Sequence, residues 1–148
     1  MAMADNRKAR YDYEILETFT AGIELLGLEV KSLKTHSATL DGAYVVVRGG
    51  EAFLMQSSIP AYQPSNTPAD YDPLRVRKLL LTKAEIKRLG EKESQNGLTI
   101  VPLKFYNKGP KVKIDIAIVR GKKKFDKRES IKKRETNRDI QRTLKREE

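Results

Sequence analysis

The chain has 148 residues, with 30 Lys and Arg against 20 Asp and Glu for a formal charge of +10, and it contains no cysteine. This composition excludes a disulfide framework and thiolate chemistry. No apolar run approaches the roughly 20 residues of a membrane span and none marks a signal peptide, so the expectation is a cytoplasmic protein with no membrane partner.

The first ten residues are expected to form a flexible N-terminal arm. Residues 13–19 and, after Ala21-Gly22, residues 23–26 then read as one strand bent at its glycine, and residues 28–34 as a short helix that buries Val30 and Leu33. Residues 43–48 and 51–56 flank the Gly49-Gly50 pair and form a hairpin. Residues 60–73 hold four prolines, two Asp and one Asn, an irregular surface loop. A strand over 78–81 leads into a helix opened by a Thr82-Lys-Ala-Glu85 capping box, with Leu81 and Ile86 as its staple and Gly90 as its expected end. A last hairpin joins 98–106 to 112–119 through 107–110. Val112, Ile114, Ile116 and Ile118 share one face, and Pro102 belongs at an edge or a bulge. Five or six short antiparallel strands in so few residues predict a small barrel, because closure removes exposed edges. The organisation is thus a body over 1–119, large enough for one core, and a tail over 120–148.

The charge sits unevenly on these parts. The 29 residues of the tail carry 13 basic and six acidic side chains, +7 of the total, and too few apolar residues to fold alone. Such an arm seeks a polyanion. Without Trp, and with only Phe125, Ile131, Ile140 and Leu144 as large apolar groups, it suits nucleic acid better than a membrane. Gly121, Lys122, Lys123, Lys124, Phe125, Asp126, Lys127 and Arg128 pack five cations and one ring together, which fits phosphate contact with base stacking. A nuclear-import or solubility tail is the alternative. If the end is helical, Arg134, Arg138, Arg142 and Arg146 form one stripe, with Ile140 and Leu144 roughly opposite. Glu135 and Asp139 lie beside the stripe, so a merely solvated face fits the pattern equally well.

Catalytic constellations are missing from the sequence. The one histidine, His36, has no evident base partner, and Asp70 and Asp72 read as turn residues beside Pro73. There is neither a phosphate-binding Gly-x-x-x-x-Gly-Lys-Ser/Thr run nor a Gly-x-Ser-x-Gly elbow. The expectation is a binding protein, not an enzyme, with no cofactor and no metal.

Five strings, in order and in spacing, resemble the SsrA-binding protein (SmpB) family: Asn6-Arg-Lys-Ala9, Gly27-Leu-Glu-Val-Lys-Ser-Leu33, Arg77-Lys-Leu-Leu-Leu81, Gly97-Leu-Thr-Ile-Val-Pro-Leu-Lys104 and the Gly121 to Arg128 run. The resemblance covers the chain from about Asn6 to Leu144. It implies a mainly β fold, an oligonucleotide-binding-type barrel with short helices, and a tail that is disordered when free and helical when bound. It further implies a cytoplasmic monomer that binds the tRNA-like domain of transfer-messenger RNA and delivers it to stalled ribosomes. The tail would probe the empty messenger channel and the decoding centre, and elongation factor Tu would be a partner only through the charged RNA. Carried over, Asn6, Arg7, Lys8, Tyr13 and Tyr44 would meet that RNA, with Arg75, Arg77 and Lys78 extending the patch. Arginine can fork onto phosphate and a tyrosine ring can stack on an unpaired base. Tyr13 and Tyr44 could equally be core, and Glu29, Val30 and Leu33 fit helix packing better than contact. In the tail, Gly121 to Arg128, Arg134, Arg138, Arg142 and Leu144 correspond to the ribosome-contacting positions. Phe125 stands where His or Tyr is common, which keeps stacking and loses a polar contact. Thr143 replaces an apolar residue beside Leu144. The rival readings are a ribosomal protein or an initiation-type translation factor on the same barrel; a Mg²⁺-dependent nuclease would need clustered carboxylates.

Overall fold

The computed structural model describes residues 2–35, 38–63, 65 and 67–121. In chain order the elements are β1 (Ala2–Asp5), α1 (Arg7–Asp12), β2 (Tyr13–Ile23), α2 (Gly27–Thr35), β3 (Tyr44–Arg48), β4 (Glu51–Met55), β5 (Arg77–Leu80), α3 (Lys83–Glu93), β6 (Leu98–Lys108) and β7 (Lys111–Gly121). The strands make one antiparallel sheet in the order β1-β6-β7-β2-β5-β4-β3. The sheet curls until β3 packs beside β6, and α3 lies against both, so the architecture is the small barrel with short helices that the strand pattern predicts.

Both hairpins form where turn chemistry puts them. Gly49 and Gly50 have φ of 60° and 75°, the two positive values of a type I′ turn, whose twist matches the flanking strands. In the β6–β7 hairpin Val112, Ile114, Ile116 and Ile118 all point into the core. The register shifts between Pro102 and Lys104, a bulge that absorbs the missing proline amide in a strand paired on both sides. Gly22 has a steric role: an added Cβ would stand 3.2 Å from the Leu80 Cβ, so glycine lets β5 close against β2. The irregularity in β2 falls between Ile15 and Glu17 instead of at the glycine.

Two expectations need correction. The first ten residues are not a free arm, because β1 adds to the edge of β6 and α1 follows at once. The junction is Asn6. Its side chain accepts from the Ala9 amide and caps α1, while Nδ2 donates to the carbonyls of Pro102 (2.8 Å) and Leu40 (3.3 Å). Ala9 then packs on Val101, Leu103, Ala117 and Val119, a second apolar cluster on the outer face of β6 and β7. The other correction concerns α3, which runs through Gly90 to Glu93. Leu89 is fully buried, and the Glu93 carboxylate accepts from the Val47 amide (3.3 Å) and Arg48 (3.0 Å) on the edge strand β3. These anchors outweigh the low helix propensity of one glycine and satisfy a sheet edge as well. The capping box is present, with the Glu85 amide donating to Thr82 Oγ1 (3.2 Å) and the Thr82 amide to Glu85 Oε1 (3.0 Å). β7 also runs two residues past the expected end of the body, to Gly121.

Because α3 is held by its packed face more than by its cap, Leu89→Ala should cost about 2–5 kcal/mol in urea unfolding, against ~1 kcal/mol for Thr82→Ala. Equal losses would show that the helix is set locally.

Candidate nucleic-acid interface

One end of the barrel opens into a cleft of about 340 Å³ between α1, the start of β2, the turn before β3, and β6. Asn6, Lys8, Ala9, Asp12, Tyr13, Gly42, Ala43, Tyr44, Thr99 and Val101 line it. Arg7 and Lys8 are exposed on α1, whose first turn holds no acid. Arg10, in the last turn, is paired with Asp5. Tyr13 is half-buried against the Ala9 cluster, whereas Tyr44 keeps 39% of its surface exposed. Two aromatic rings and Lys8 therefore meet across one opening that Asp12 also lines, with Arg7 exposed beside it, and neither cation has an ion pair among the described residues; rings with cations are the combination that stacks bases and neutralises phosphate. Tyr13 also pairs with Gly121 across the β2–β7 ladder, so the last described residue leaves the sheet beside this cleft.

Of the residues expected to meet RNA, Lys8, Tyr13 and Tyr44 come together here, with Arg7 beside them. Asn6 lines the same cleft but from a buried position. It is 3% exposed and its amide is spent on Ala9, Leu40 and Pro102, so it positions α1. Sequence reasoning missed Thr99, Val101 and the Gly42-Ala43 turn, which become neighbours only when the sheet curls. The Asn6 role was readable, since Asn-Arg-Lys-Ala is an N-cap followed by good helix formers.

The remaining barrel candidates belong to another structure. Arg77 is fully buried. Its Nε (2.9 Å) and Nη2 (2.6 Å) donate to Glu29 Oε2, Nη1 donates to the Ser57 carbonyl (2.8 Å), and Nη2 also to the Pro73 carbonyl (3.0 Å). The strand alternation in β5 explains this, because Arg77 and Leu79 point inward while Lys78 and Leu80 point out. Arg75 donates to both Glu29 oxygens, Nη2 to Oε1 (2.6 Å) and Nε to Oε2 (2.9 Å), and the Leu26 amide adds a third donor at 2.8 Å. The Tyr71 hydroxyl stands 2.7 Å from the Ile59 carbonyl and 3.1 Å from Glu29 Oε2. Lys78 is on the surface and paired with Glu51 at 2.9 Å, away from the cleft. Arg77 is thus a structural cation, and no buried side-chain nitrogen or oxygen among the described residues lacks a partner.

Burial alone would push the Glu29 carboxyl up. The hydrogen bonds from Arg75, the Leu26 amide and Arg77, with the Arg77 charge, overcome that and hold it below its ordinary value. The same environment, burial first and then the Glu29 charge, pushes the Tyr71 phenol up.

His36 and residues 122–148, including Phe125, Arg134, Arg138, Arg142 and Leu144, lie outside the described residues. Among those described, no group of three or more His, Cys, Asp or Glu could hold a metal ion, and no helix is long and apolar enough to cross a membrane.

A curled antiparallel sheet with rings and cations at one open end is the architecture of an oligonucleotide-binding-type barrel, a nucleic-acid-binding class. The family model described as "SmpB protein" matches residues 3–146, and the chain belongs to the SmpB family. The SsrA-binding protein of Gloeobacter violaceus is 49% identical over 144 residues, covering 97% of this chain and 94% of its own. That of Microcystis aeruginosa is 51% identical over 144 residues with the same coverage. A solved structure described as "tmRNA-SmpB: a journey to the center of the bacterial ribosome" is similar at a TM-score of 0.69 and 43% identity, over 86% of this chain and 93% of the other.

A depressed folded pKa means that Glu29 stabilises the protein above its unfolded value, about 4.3, and that this contribution is lost as pH falls through the folded value. Urea unfolding should therefore weaken from pH 5 downward through about pH 4 and below. Glu29→Gln, which strands the buried Arg77 and the partly exposed Arg75, should cost about 3–5 kcal/mol at pH 7 and flatten that acid dependence. An unchanged pH profile in the variant would place the acid sensitivity elsewhere.

Proposed function

We propose that this chain binds the tRNA-like domain of transfer-messenger RNA with its barrel and brings it to stalled ribosomes, where the basic tail enters the empty messenger channel. The observation that carries the reading is the cleft: Lys8, Tyr13 and Tyr44 converge at one open end, next to the point where the chain passes on to its tail. Family membership and the ribosome-bound relative favour transfer-messenger RNA over the rival readings of ribosomal protein or initiation-type factor.

The division of labour follows from charge and shape. The barrel is nearly neutral overall, so its binding rests on a local arrangement of cations and rings that can recognise one folded RNA. The tail, at +7 over 29 residues, suits a path lined by ribosomal RNA phosphate, and a message already in that path would exclude it. Gly121 to Arg128 is the working segment. Phe125 supplies a ring for stacking in the decoding centre, and Arg134, Arg138 and Arg142 grip phosphate, with Leu144 at the far end. Since the RNA supplies the acceptor end, elongation factor Tu joins through the charged RNA and not through this chain. The work is that of an RNA-binding protein of the cytoplasm, with no catalytic step of its own.

Ending the chain after Gly121, where β7 is still paired, should leave affinity for the isolated tRNA-like domain within about threefold and abolish tagging of nascent chains on stalled ribosomes; binding lost with the tail would reverse the two roles. At the cleft, Tyr44→Ala should weaken RNA binding by about 1–3 kcal/mol, as stacking on one base contributes, and Tyr44→Phe should restore it. Equal binding by both variants would remove that ring from the interface.

A further inference from the structure

The far end of the β6–β7 hairpin concentrates charge that the fold does not use. On the outer face the ladder sets Lys104 opposite Asp115, Tyr106 opposite Lys113, and Lys108 opposite Lys111. Lys104 has Asp115 at 3.9 Å and the Tyr106 ring at 5.3 Å. Asp115 is already engaged by the Thr20 hydroxyl at 3.0 Å. Among the described residues Lys108, Lys111 and Lys113 form no ion pair. Four lysines therefore share one carboxylate.

Like charges directly opposite one another destabilise a hairpin, and Lys108 and Lys111 stand in that relation beside a turn at Gly109 and Pro110. Solvation would be served as well by one lysine and one acid. An anion lying over the arrangement would relieve that repulsion, and the Tyr106 ring within it adds a flat surface for a sugar or a base.

The position on the sheet ties this charge to the proposed RNA site. Val101 and Ala117, which seat α1, face outward on the same side as Lys104, Tyr106, Lys111 and Lys113 further along the ladder. Val101 lines the cleft and Lys108 stands seven residues further along β6, so the hairpin tip lies roughly 23 Å from the cleft, with Lys104 between them. At the tip this exceeds two Debye lengths of about 8 Å at 0.15 M salt, so Lys108 and Lys111 are largely screened from the cleft cations.

We propose that Lys104, Lys108, Lys111 and Lys113, with Tyr106, form a second phosphate-binding surface. It would hold the backbone of the same RNA beyond the cleft and fix its orientation on the barrel. The inference rests on the RNA-binding reading above and adds to it a contact at the opposite end of the outer face.

The test is titration of a transcript of the tRNA-like domain against the full chain across a salt series. Lys108→Gln, Lys111→Gln and Lys113→Gln together should weaken binding about tenfold or more near 0.1 M salt. The slope of log K against log salt should become shallower by about 2, since each released contact contributes roughly 0.7 to 0.9. Arginine at the same three positions should keep both affinity and slope. Without RNA, the Gln variant should melt no lower than the parent, because it has lost repulsion and no contact. If the parent chain binds this RNA and the Gln variant binds it with the same affinity and slope, the second surface is wrong and the cleft reading stands. If the parent chain does not bind this RNA, the underlying reading fails instead. A loss of affinity shared by the Arg and Gln variants would also overturn the proposal, since it would reflect shape and not charge.

Discussion

The buried carboxylate of Glu29 is the contact on which the rest of the barrel depends. β5 is the strand that joins the β1-β6-β7-β2 half of the sheet to the β4-β3 half, and it is only four residues long. It meets β2 through two residue pairs and β4 through three. So short a splice is weak by its ladder alone. Arg77, at its first position, is locked to Glu29 of α2, and the same carboxylate collects Arg75 and holds Tyr71 of the long loop nearby. Removing two charges from water is costly, and a buried ion pair is no guarantee of net stability. Its effect here is positional: α2 and the stretch over 71–77, more than 40 residues apart in the chain, are joined at those two oxygens.

That constraint reaches the functional end of the molecule. The cleft takes Tyr13, Thr99 and Val101 from one half of the sheet and Ala43 and Tyr44 from the other. The two tyrosines face a common opening because β5 sets the angle between the halves. α3 performs the matching task on the other side, filling the space between β3 and β6 and covering the β3 edge with Glu93. The rings and cations that suit RNA are thereby carried on a frame fixed from two sides. Binding sites of this kind need such rigidity, because a displacement of about an ångström in the frame would spoil base stacking.

The sequence was most legible where local chemistry decides structure. The Gly49-Gly50 pair, the turn residues over 107–110 and the alternating faces located both hairpins, and Thr82 with Glu85 located the start of α3. Legibility failed where a side chain answers to something far away in the chain. Arg77 and Lys78 look alike in a basic string, and only strand alternation tells that one points into the core and the other out. Glu29 is one acid in an amphipathic helix until β5 brings its partners. Asn6 looked like a contact because the family resemblance placed it on the surface, whereas its carbonyl partners, Leu40 and Pro102, lie 34 and 96 residues away. Gly90 failed for the same reason, since Leu89 and Glu93 hold the helix through contacts that no local rule contains.

The measurement that bears most directly on this account is the identity of the RNA that travels with the protein. The chain would be recovered from lysate with ribosomes dissociated, and all bound RNA sequenced. The account expects transfer-messenger RNA to be strongly enriched over tRNA and ribosomal RNA relative to their abundance in the lysate. Recovery of the three in proportion to that abundance, or enrichment of ribosomal RNA alone, would contradict it.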